Sequence, residues 1–312
     1  MMPRIWFEFK RNGKWGYFTF WRYGQRRVIK PQFDAVSFLS EGFAAVAVAG
    51  KWGYIDEWGG FIVKRRFSWA NRFHEGMAAV RVGGGYVRLR MQRGKLKMLK
   101  TTKPPRSVMG PHFHGCTEWL PWDGKWGYVN REGKLVIQPC FEMADGFSEG
   151  LARVQSGREF GYINTKGKVV IKPHFNEARP FSEGLAAVRF DQKYFYVDVQ
   201  GRRITAPRFD LAMAFSEGLA AVKVGSKWGY IDWRGRFVIQ PRFDGASRFH
   251  ASRIAAVKIG PKWGYINRKG ELRIKPRFNK AGDFMLGRLA ADVEVGVKEG
   301  TIDYNGRLAW GI

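Results

Sequence analysis

The stretch "KWGYID" at residues 227–232 decides the architecture of this protein, because close copies of it recur along the chain. Versions of it stand at residues 14–19, 51–56, 125–130 and 262–267. A downstream proline keeps a step of 34 residues through Pro105, Pro139, Pro173, Pro207 and Pro241. Self-similarity at a fixed step of this size predicts an array built from one small supersecondary motif.

One copy of the repeat reads F-S-E-G-L-A-A-V-x-V, a glycine turn, K-W-G-Y-I-D, a second turn that ends in glycine, V-I-x-P-x-F and D-x-A. Its three runs of Val, Ile, Tyr, Trp and Ala each predict a short strand, and the proline ends the third because it cannot donate to a ladder. No stretch keeps a 3.6-residue period, so the sequence predicts an all-β fold with little helix. Nine repeats are counted, beginning near residues 4, 41, 76, 116, 149, 183, 217, 251 and 286.

These repeats resemble the WG (KWG) repeats of many bacterial proteins, and the resemblance extends over nearly the whole chain. It implies a β-rich binding or scaffolding module, with no reaction attached. Nine repeats of three strands favour an open, twisted, solenoid-like stack over a closed β-propeller, whose blades normally have four strands. The closed propeller is the alternative. Residues 1–312 then form a single repeat domain, with the following tryptophans as core residues between neighbouring repeats: Trp15, Trp52, Trp126, Trp228 and Trp263.

The charge balance departs from that of an ordinary soluble protein, since 54 Lys and Arg face 27 Asp and Glu for a net charge of +27. Such an excess favours a polyanionic partner, with nucleic acid the first candidate and a basic surface kept for solubility the alternative. Two cysteines are too few for a disulfide framework. The N-terminal residues lack the apolar core of a signal peptide, and no apolar run reaches about 18 residues. We therefore expect a cytoplasmic protein without a membrane span.

The third repeat departs most from the consensus, in the stretch "YVRLRMQRGKLKMLKTTKPPR" at residues 86–106. Cations alternate with Leu and Met on both sides of Gly94, which predicts a lengthened, amphipathic β-hairpin. Such a basic arm suits a phosphate backbone, whereas protection of an exposed strand edge is the competing interpretation. The predicted contacts are Arg88, Arg90, Arg93, Lys95, Lys97, Lys100, Lys103 and Arg106.

Two further sets of residues recur at equivalent repeat positions. The cations that follow the repeat proline (or its equivalent) predict a basic stripe, or else a plain solvated face; they are Arg66, Arg208, Arg242 and Arg277. Aromatic residues at turn tips predict stacking on unpaired bases, or packing against a neighbouring repeat or a partner protein; they are Trp58, Trp233 and Tyr304.

No catalytic constellation or phosphate-binding loop stands out, so we expect no enzyme and no cofactor. His112, His114 and Cys116, even with Cys140, do not complete a standard zinc spacing, so we expect no metal site. The leading hypothesis is a non-catalytic scaffold that binds RNA or DNA through its phosphates. The alternative is an interaction scaffold for an acidic protein. The sequence distinguishes neither RNA from DNA nor one oligomeric state from another.

Overall fold

A computed structural model describes residues 6–20, 26–83, 85–92, 95–101, 119–122, 124–206, 208–250, 253–284, 290–296 and 298–310. All regular secondary structure in these residues is β-strand, which confirms the predicted all-β class. The described part of the chain contains no helix that is long and apolar enough to cross a membrane. The chain divides into two compact units, Met1–Arg158 with Tyr162–Val169 and Glu159–Gly161 with Val170–Ile312.

The strands are short and follow one another closely along the chain. The first sixteen are β1 (Trp6–Arg11), β2 (Lys14–Phe20), β3 (Arg26–Phe33), β4 (Ala35–Val36), β5 (Phe43–Val48), β6 (Lys51–Asp56), β7 (Phe61–Phe67), β8 (Trp69–Ala70), β9 (Met77–Val82), β10 (Gly85–Gln92), β11 (Lys95–Thr101), β12 (Trp119–Trp122), β13 (Lys125–Asn130), β14 (Leu135–Phe141), β15 (Met143–Ala144) and β16 (Leu151–Ser156). The others are β17 (Glu159–Asn164), β18 (Val169–Phe175), β19 (Glu177–Ala178), β20 (Leu185–Phe190), β21 (Lys193–Asp198), β22 (Leu211–Ala212), β23 (Leu219–Val224), β24 (Lys227–Asp232), β25 (Phe237–Phe243), β26 (Gly245–Ala246), β27 (Ile254–Ile259), β28 (Lys262–Asn267), β29 (Leu272–Phe278), β30 (Lys280–Ala281), β31 (Ala290–Val295), β32 (Lys298–Asp303) and β33 (Leu308–Trp310).

The described residues form nine small sheets, as many as the predicted repeats, and none of these sheets closes into a barrel. Most have four strands in chain order, as in β22-β23-β24-β25, whereas the sequence predicted three. The additional strand is the two-residue segment Leu211–Ala212, which pairs antiparallel with Lys223 and Val222. Two residues are too short to show the alternation from which strands are predicted. The array of repeated antiparallel sheets is confirmed, with one more short strand in most repeats.

The boundary predicted near residue 116 is wrong, because β9 pairs with β13 from Met77 opposite Asn130 to Val82 opposite Lys125. The residues assigned to the third and fourth repeats therefore share one sheet, of order β14-β13-β9-β8. The ninth sheet, β11-β10-β12, is inserted between the two central strands of that repeat. Pro105, whose spacing supported the predicted boundary, lies outside the described residues.

The glycine of the KWGY motif is required by a close approach of the neighbouring strand. In the β24–β25 pair, Trp228 lies opposite Phe243 but Tyr230 lies opposite Ile239, which leaves a bulge around Pro241. A β-carbon on Gly229 would lie 2.5 Å from the Ile239 carbonyl oxygen and 2.7 Å from the Pro241 nitrogen. Only glycine leaves room for this bulge. The same approach occurs at Gly16, Gly53, Gly127, Gly161 and Gly264.

The core lies between successive sheets within each compact unit. Tyr17 and Ile29 of the first repeat pack on Ala44, Val46 and Ile55 of the second. We call the Ala-Val-Ile side of a repeat its back face, and the same residue types occupy it in the later clusters. The predicted role of the motif tryptophans is confirmed, since Trp52 is buried and the following four are half-buried: Trp15, Trp126, Trp228 and Trp263.

Candidate nucleic-acid interface

Strands β10 and β11 of the inserted sheet pair antiparallel as the two arms of a hairpin, and their register decides which cations share a face. Arg90 lies opposite Lys97, and Gln92 lies opposite Lys95. Directly opposed residues of an antiparallel pair lie on the same face, and every second residue along a strand returns to it. The positions of Arg88, Arg90, Lys95 and Lys97 therefore belong to one face, which we call the basic face.

The other predicted hairpin residues are placed differently. Lys100 pairs with Val87, so its position belongs to the opposite face of the hairpin. Lys100 follows Lys97 by three residues, which is an odd number. Because the side-chain period of a strand is two, an odd separation puts the two positions on opposite faces. Three predicted contacts lie outside the described residues: Arg93, Lys103 and Arg106.

Edge protection does not explain every position of the basic face. The sheet order β11-β10-β12 makes β10 the central strand, and Arg88 pairs with Leu99 on one side and Trp119 on the other. Protective charges belong on edge strands, which carry unpaired backbone groups. Edge protection therefore fits Lys95 and Lys97, which lie on the edge strand β11, but it does not account for Arg88.

The predicted arginine stripe makes structural contacts between successive repeats. Arg242 donates from Nη2 to the Gly270 carbonyl oxygen at 2.7 Å, and its guanidinium lies 5.1 Å from the ring centroid of Phe243. The carbonyl belongs to the turn that follows the next KWGY strand, so each arginine joins its repeat to the next. Equivalent bonds connect Arg66 with Gly133, Arg208 with Gly235, and Arg277 with Gly306. All four residues are exposed, so they combine this contact with a solvent-facing charge.

Replacing Arg242 by Lys is expected to lower the free energy of unfolding by about 1 kcal/mol, because lysine keeps the charge but loses the planar stacked donor. Affinity for a polyanion is expected to change less than about twofold, since the charge is retained. Thermal unfolding and a binding titration measure the two quantities. Arg236→Lys, at an exposed arginine on the neighbouring turn, is the matched control. A loss of affinity at unchanged stability would make Arg242 a ligand contact instead.

The aromatic turn tips divide into two groups. Trp58 is 59% exposed and Trp233 is 57% exposed. The Arg27 guanidinium lies 3.5 Å from the ring centroid of Trp58, and the Arg234 guanidinium lies 4.5 Å from that of Trp233. Tyr304 is half-buried and stacks on Phe284 at 4.6 Å, so it packs within the last cluster. Two of the three predicted platforms are therefore accessible from solvent.

The repeated F-S-E-G residues connect neighbouring repeats. Ser216 donates to the Phe249 carbonyl oxygen at 2.5 Å, and Glu183 accepts from the Gly218 amide at 2.9 Å. At Glu41, burial alone would raise the pKa, but hydrogen bonds from Arg131 and the Gly76 amide outweigh it and lower the pKa below its usual value. These contacts give the repeated glutamate a structural role.

Metal ligands do not assemble in the described part of the chain, where no group of three His, Cys, Asp or Glu side chains could hold an ion. Cys140 is an exposed free thiol. The predicted cluster of His112, His114 and Cys116 lies outside the described residues.

The sheets, the glycine bulge and the repeated contacts define a protein of the WG-repeat class. The family model for the WG-containing repeat matches residues 28–52, 52–86, 126–158, 160–194, 194–228, 228–263 and 263–284, so the chain belongs to this family. The matches are interrupted between residues 86 and 126, where the inserted sheet lies. No curated protein sequence matches the chain.

Three solved structures are similar to the chain at low sequence identity. A eukaryotic initiation factor has a TM-score of 0.60 at 11% identity, over 99% of this chain and 84% of that one. Hsv2 of Kluyvelomyces marxianus has a TM-score of 0.41 at 10% identity, over 87% of this chain and 92% of its own. AztD of Citrobacter koseri in its apo form has a TM-score of 0.40 at 11% identity, over 99% of this chain and 81% of its own. Only the first likeness is close enough to support the fold, and it supports nothing beyond the fold.

Proposed function

We propose that this WG-repeat protein is a non-catalytic, cytoplasmic scaffold that binds nucleic acid, RNA or DNA, mainly through its phosphates. The observation that carries the proposal is the register of the β10–β11 hairpin. It puts Arg88, Arg90, Lys95 and Lys97 on one face, although two of these positions precede the turn and two follow it. Four cations on one face of a hairpin favour a backbone with regularly spaced negative charges.

The net charge of +27 supports the same partner, because a long-range positive potential attracts a polyanion before any specific contact forms. Phosphate contacts position a protein without reading base sequence. Binding should therefore depend strongly on salt and weakly on sequence. An acidic protein partner is the alternative that a binding experiment must separate.

Four substitutions to Ser on the basic face, at Arg88, Arg90, Lys95 and Lys97, are expected to make the salt dependence of binding shallower by about three units of log Kd against log salt. Each phosphate contact adds about 0.7 to 0.9 to that slope, since each releases a condensed counterion. The measurement is a titration of a labelled 30-nucleotide RNA, the matching single-stranded DNA and the DNA duplex, at several salt concentrations.

The matched control removes the same number of positive charges at exposed positions elsewhere, with Ser at Arg72, Arg158, Lys166 and Lys269. Both variants lower the net charge equally. If the salt dependence becomes shallower only in the basic-face variant, the phosphates contact the basic face. Equal changes would show that net charge alone controls affinity. If the unmodified protein binds none of the three nucleic acids at low salt, the proposal is wrong and an acidic protein becomes the preferred partner.

A further inference from the structure

The first repeat differs from the others at its back face. In the second repeat this face consists of Ala44, Val46 and Ile55, all fully buried against the preceding sheet. Strand register identifies the equivalent residues of the first repeat, since Phe7 lies opposite Phe18 as Ala44 lies opposite Ile55. By the same register Phe9 is equivalent to Val46, because each lies opposite the motif glycine. Three aliphatic positions are thus occupied by three phenylalanines.

The phenylalanines form a continuous ring cluster at the surface, which we call the aromatic face: Phe7, Phe9, Phe18 and Phe20. Phe7 stacks on Phe18 with ring centroids 5.3 Å apart and an interplanar angle of 25°. Phe18 also contacts Phe9 at 5.9 Å and Phe20 at 5.7 Å. Phe7 is 44% exposed and Phe20 is 64% exposed. Exposed apolar patches of this kind mark interaction sites.

A regular repeat does not fit against this face. The back face of the second repeat carries the small residues Ala44 and Val46, which are fully buried against the neighbouring sheet. Phenyl groups at those positions would overfill the interface, and interiors packed at normal density do not absorb such volume without strain. We therefore expect that a repeat of a second copy does not dock on this face in the geometry that neighbouring repeats use.

Cations border the aromatic face. A surface cavity of about 570 Å³ extends from Phe9 and Val28 to Arg11, Lys14 and Lys30. Arg11 and Lys30 are exposed, whereas Lys14 forms an ion pair with Asp34. Face-to-face pairing of two copies would bring these positive rims together, which opposes a symmetric dimer. A ligand that combines negative charge with flat, apolar groups matches both the cationic rim and the phenylalanine rings.

We infer that the aromatic face binds the unpaired bases of single-stranded nucleic acid, with the phosphates along the rim of Arg11 and Lys30. This inference rests on the proposed function and adds the strand type and the site. Every base has a π-face, so stacking on phenylalanine tolerates any sequence, and cationic rims that follow the backbone are typical of single-strand binders. Bases inside a duplex are stacked on each other and are not available to this face.

The test uses two labelled strands of 12 residues with equal phosphates, an oligouridylate and a strand of abasic residues. The unmodified protein is expected to bind the oligouridylate at least about fivefold more tightly, since stacking contributes about 5- to 150-fold per base. The double variant Phe7→Thr, Phe20→Thr is expected to lose that preference while its affinity for the abasic strand changes less than about twofold. Threonine suits an exposed strand position, so the sheet should be kept. The control is Phe38→Thr, Phe190→Thr, at two similarly exposed phenylalanines.

Each other outcome has a separate meaning. The aromatic face does not stack bases if the double variant keeps the preference for the oligouridylate, or if its affinity falls equally for both strands. Neither result contradicts phosphate binding by the basic face. If the unmodified protein binds neither strand at low salt, the proposed function itself fails and this inference with it. If the unmodified protein self-associates in sedimentation and the double variant does not, a second copy covers the face and the inference is overturned.

Discussion

Replacing Gly229 by Ala is expected to lower the free energy of unfolding by at least about 2 kcal/mol, a large effect for a single methyl group. The added β-carbon would lie 2.5 Å from the Ile239 carbonyl oxygen, and the obstructing atoms belong to the backbone of β25. They cannot move without breaking the pairs at Trp228 and Tyr230. Thermal and urea unfolding, followed by circular dichroism, measure the loss.

A natural variant within the chain supports the direction of this effect. Phe195 replaces the motif glycine in β21 and is buried. Its sheet has only three strands, β19-β20-β21, and the chain beyond it makes isolated bridges from Arg203 to Val197 and from Phe209 to Tyr194. In this repeat, a side chain at the glycine position coincides with the absence of the long strand that pairs with the KWGY strand in other repeats.

Gly225→Ala is the matched control for Gly229→Ala. Gly225 has a φ of 59°, and a β-carbon there meets nothing within 4 Å. Ala49 already adopts a φ of 50° at the equivalent turn of the second repeat. The control should cost no more than about 1–2 kcal/mol, the usual strain of a left-handed alanine. If both variants lose the same free energy of unfolding, the close approach of the neighbouring backbone does not explain the motif glycine.

Raising the pH from 9 to 11 is expected to unfold the protein cooperatively, because the motif tyrosines are held neutral in the folded state. Burial raises the pKa of each above its usual value near 10, for Tyr17, Tyr54, Tyr128, Tyr162, Tyr196, Tyr230 and Tyr265. The hydroxyls of all of these except Tyr162 are seen to donate to backbone carbonyls, as Tyr230 does to Ser247 at 2.9 Å. Ionisation would place an anion in the core between sheets.

The sign follows from proton binding. Above pH 10 the unfolded chain releases its tyrosine protons while the folded chain keeps them, so the folded state binds more protons and stability falls as pH rises. Each tyrosine contributes up to about 1.4 kcal/mol per pH unit, and seven together approach 10 kcal/mol per unit, comparable to the whole stability of a domain. Below pH 10 these groups contribute no pH dependence.

Urea unfolding between pH 8 and 11 tests this, with tyrosinate absorbance recorded in the same samples. Tyr265→Phe should lower stability at pH 8 by about 1 kcal/mol, through the lost bond to the Gly282 carbonyl at 3.0 Å. It should also reduce the alkaline slope by about one-seventh relative to the unmodified protein. Tyrosinate that forms fully before unfolding would contradict the argument, since the buried hydroxyls would then ionise in the folded state.

The sequence by itself determined the all-β class, the repeated sheets and the core role of the motif tryptophans. These features are local, since alternation and turn glycines act over a few residues and recur at a fixed step. The cations of the basic face were also recognisable, because Arg88, Arg90, Lys95 and Lys97 alternate within one hairpin. The aromatic face also has a sequence signal, namely phenylalanine at positions where other repeats have Ala, Val and Ile.

Only the tertiary structure decided which strands pair, which arginines join repeats and which aromatic rings are exposed. β9 pairs with β13 across residues 83–124, and a sequence period cannot show that the intervening segment is an insertion. The sequence position of Arg242 predicts a surface cation, whereas the structure shows that it also donates to the Gly270 carbonyl oxygen of the next repeat. Pairing and burial are relations between residues far apart in the chain, so they are set by packing of one sheet on the next rather than by local residue preference.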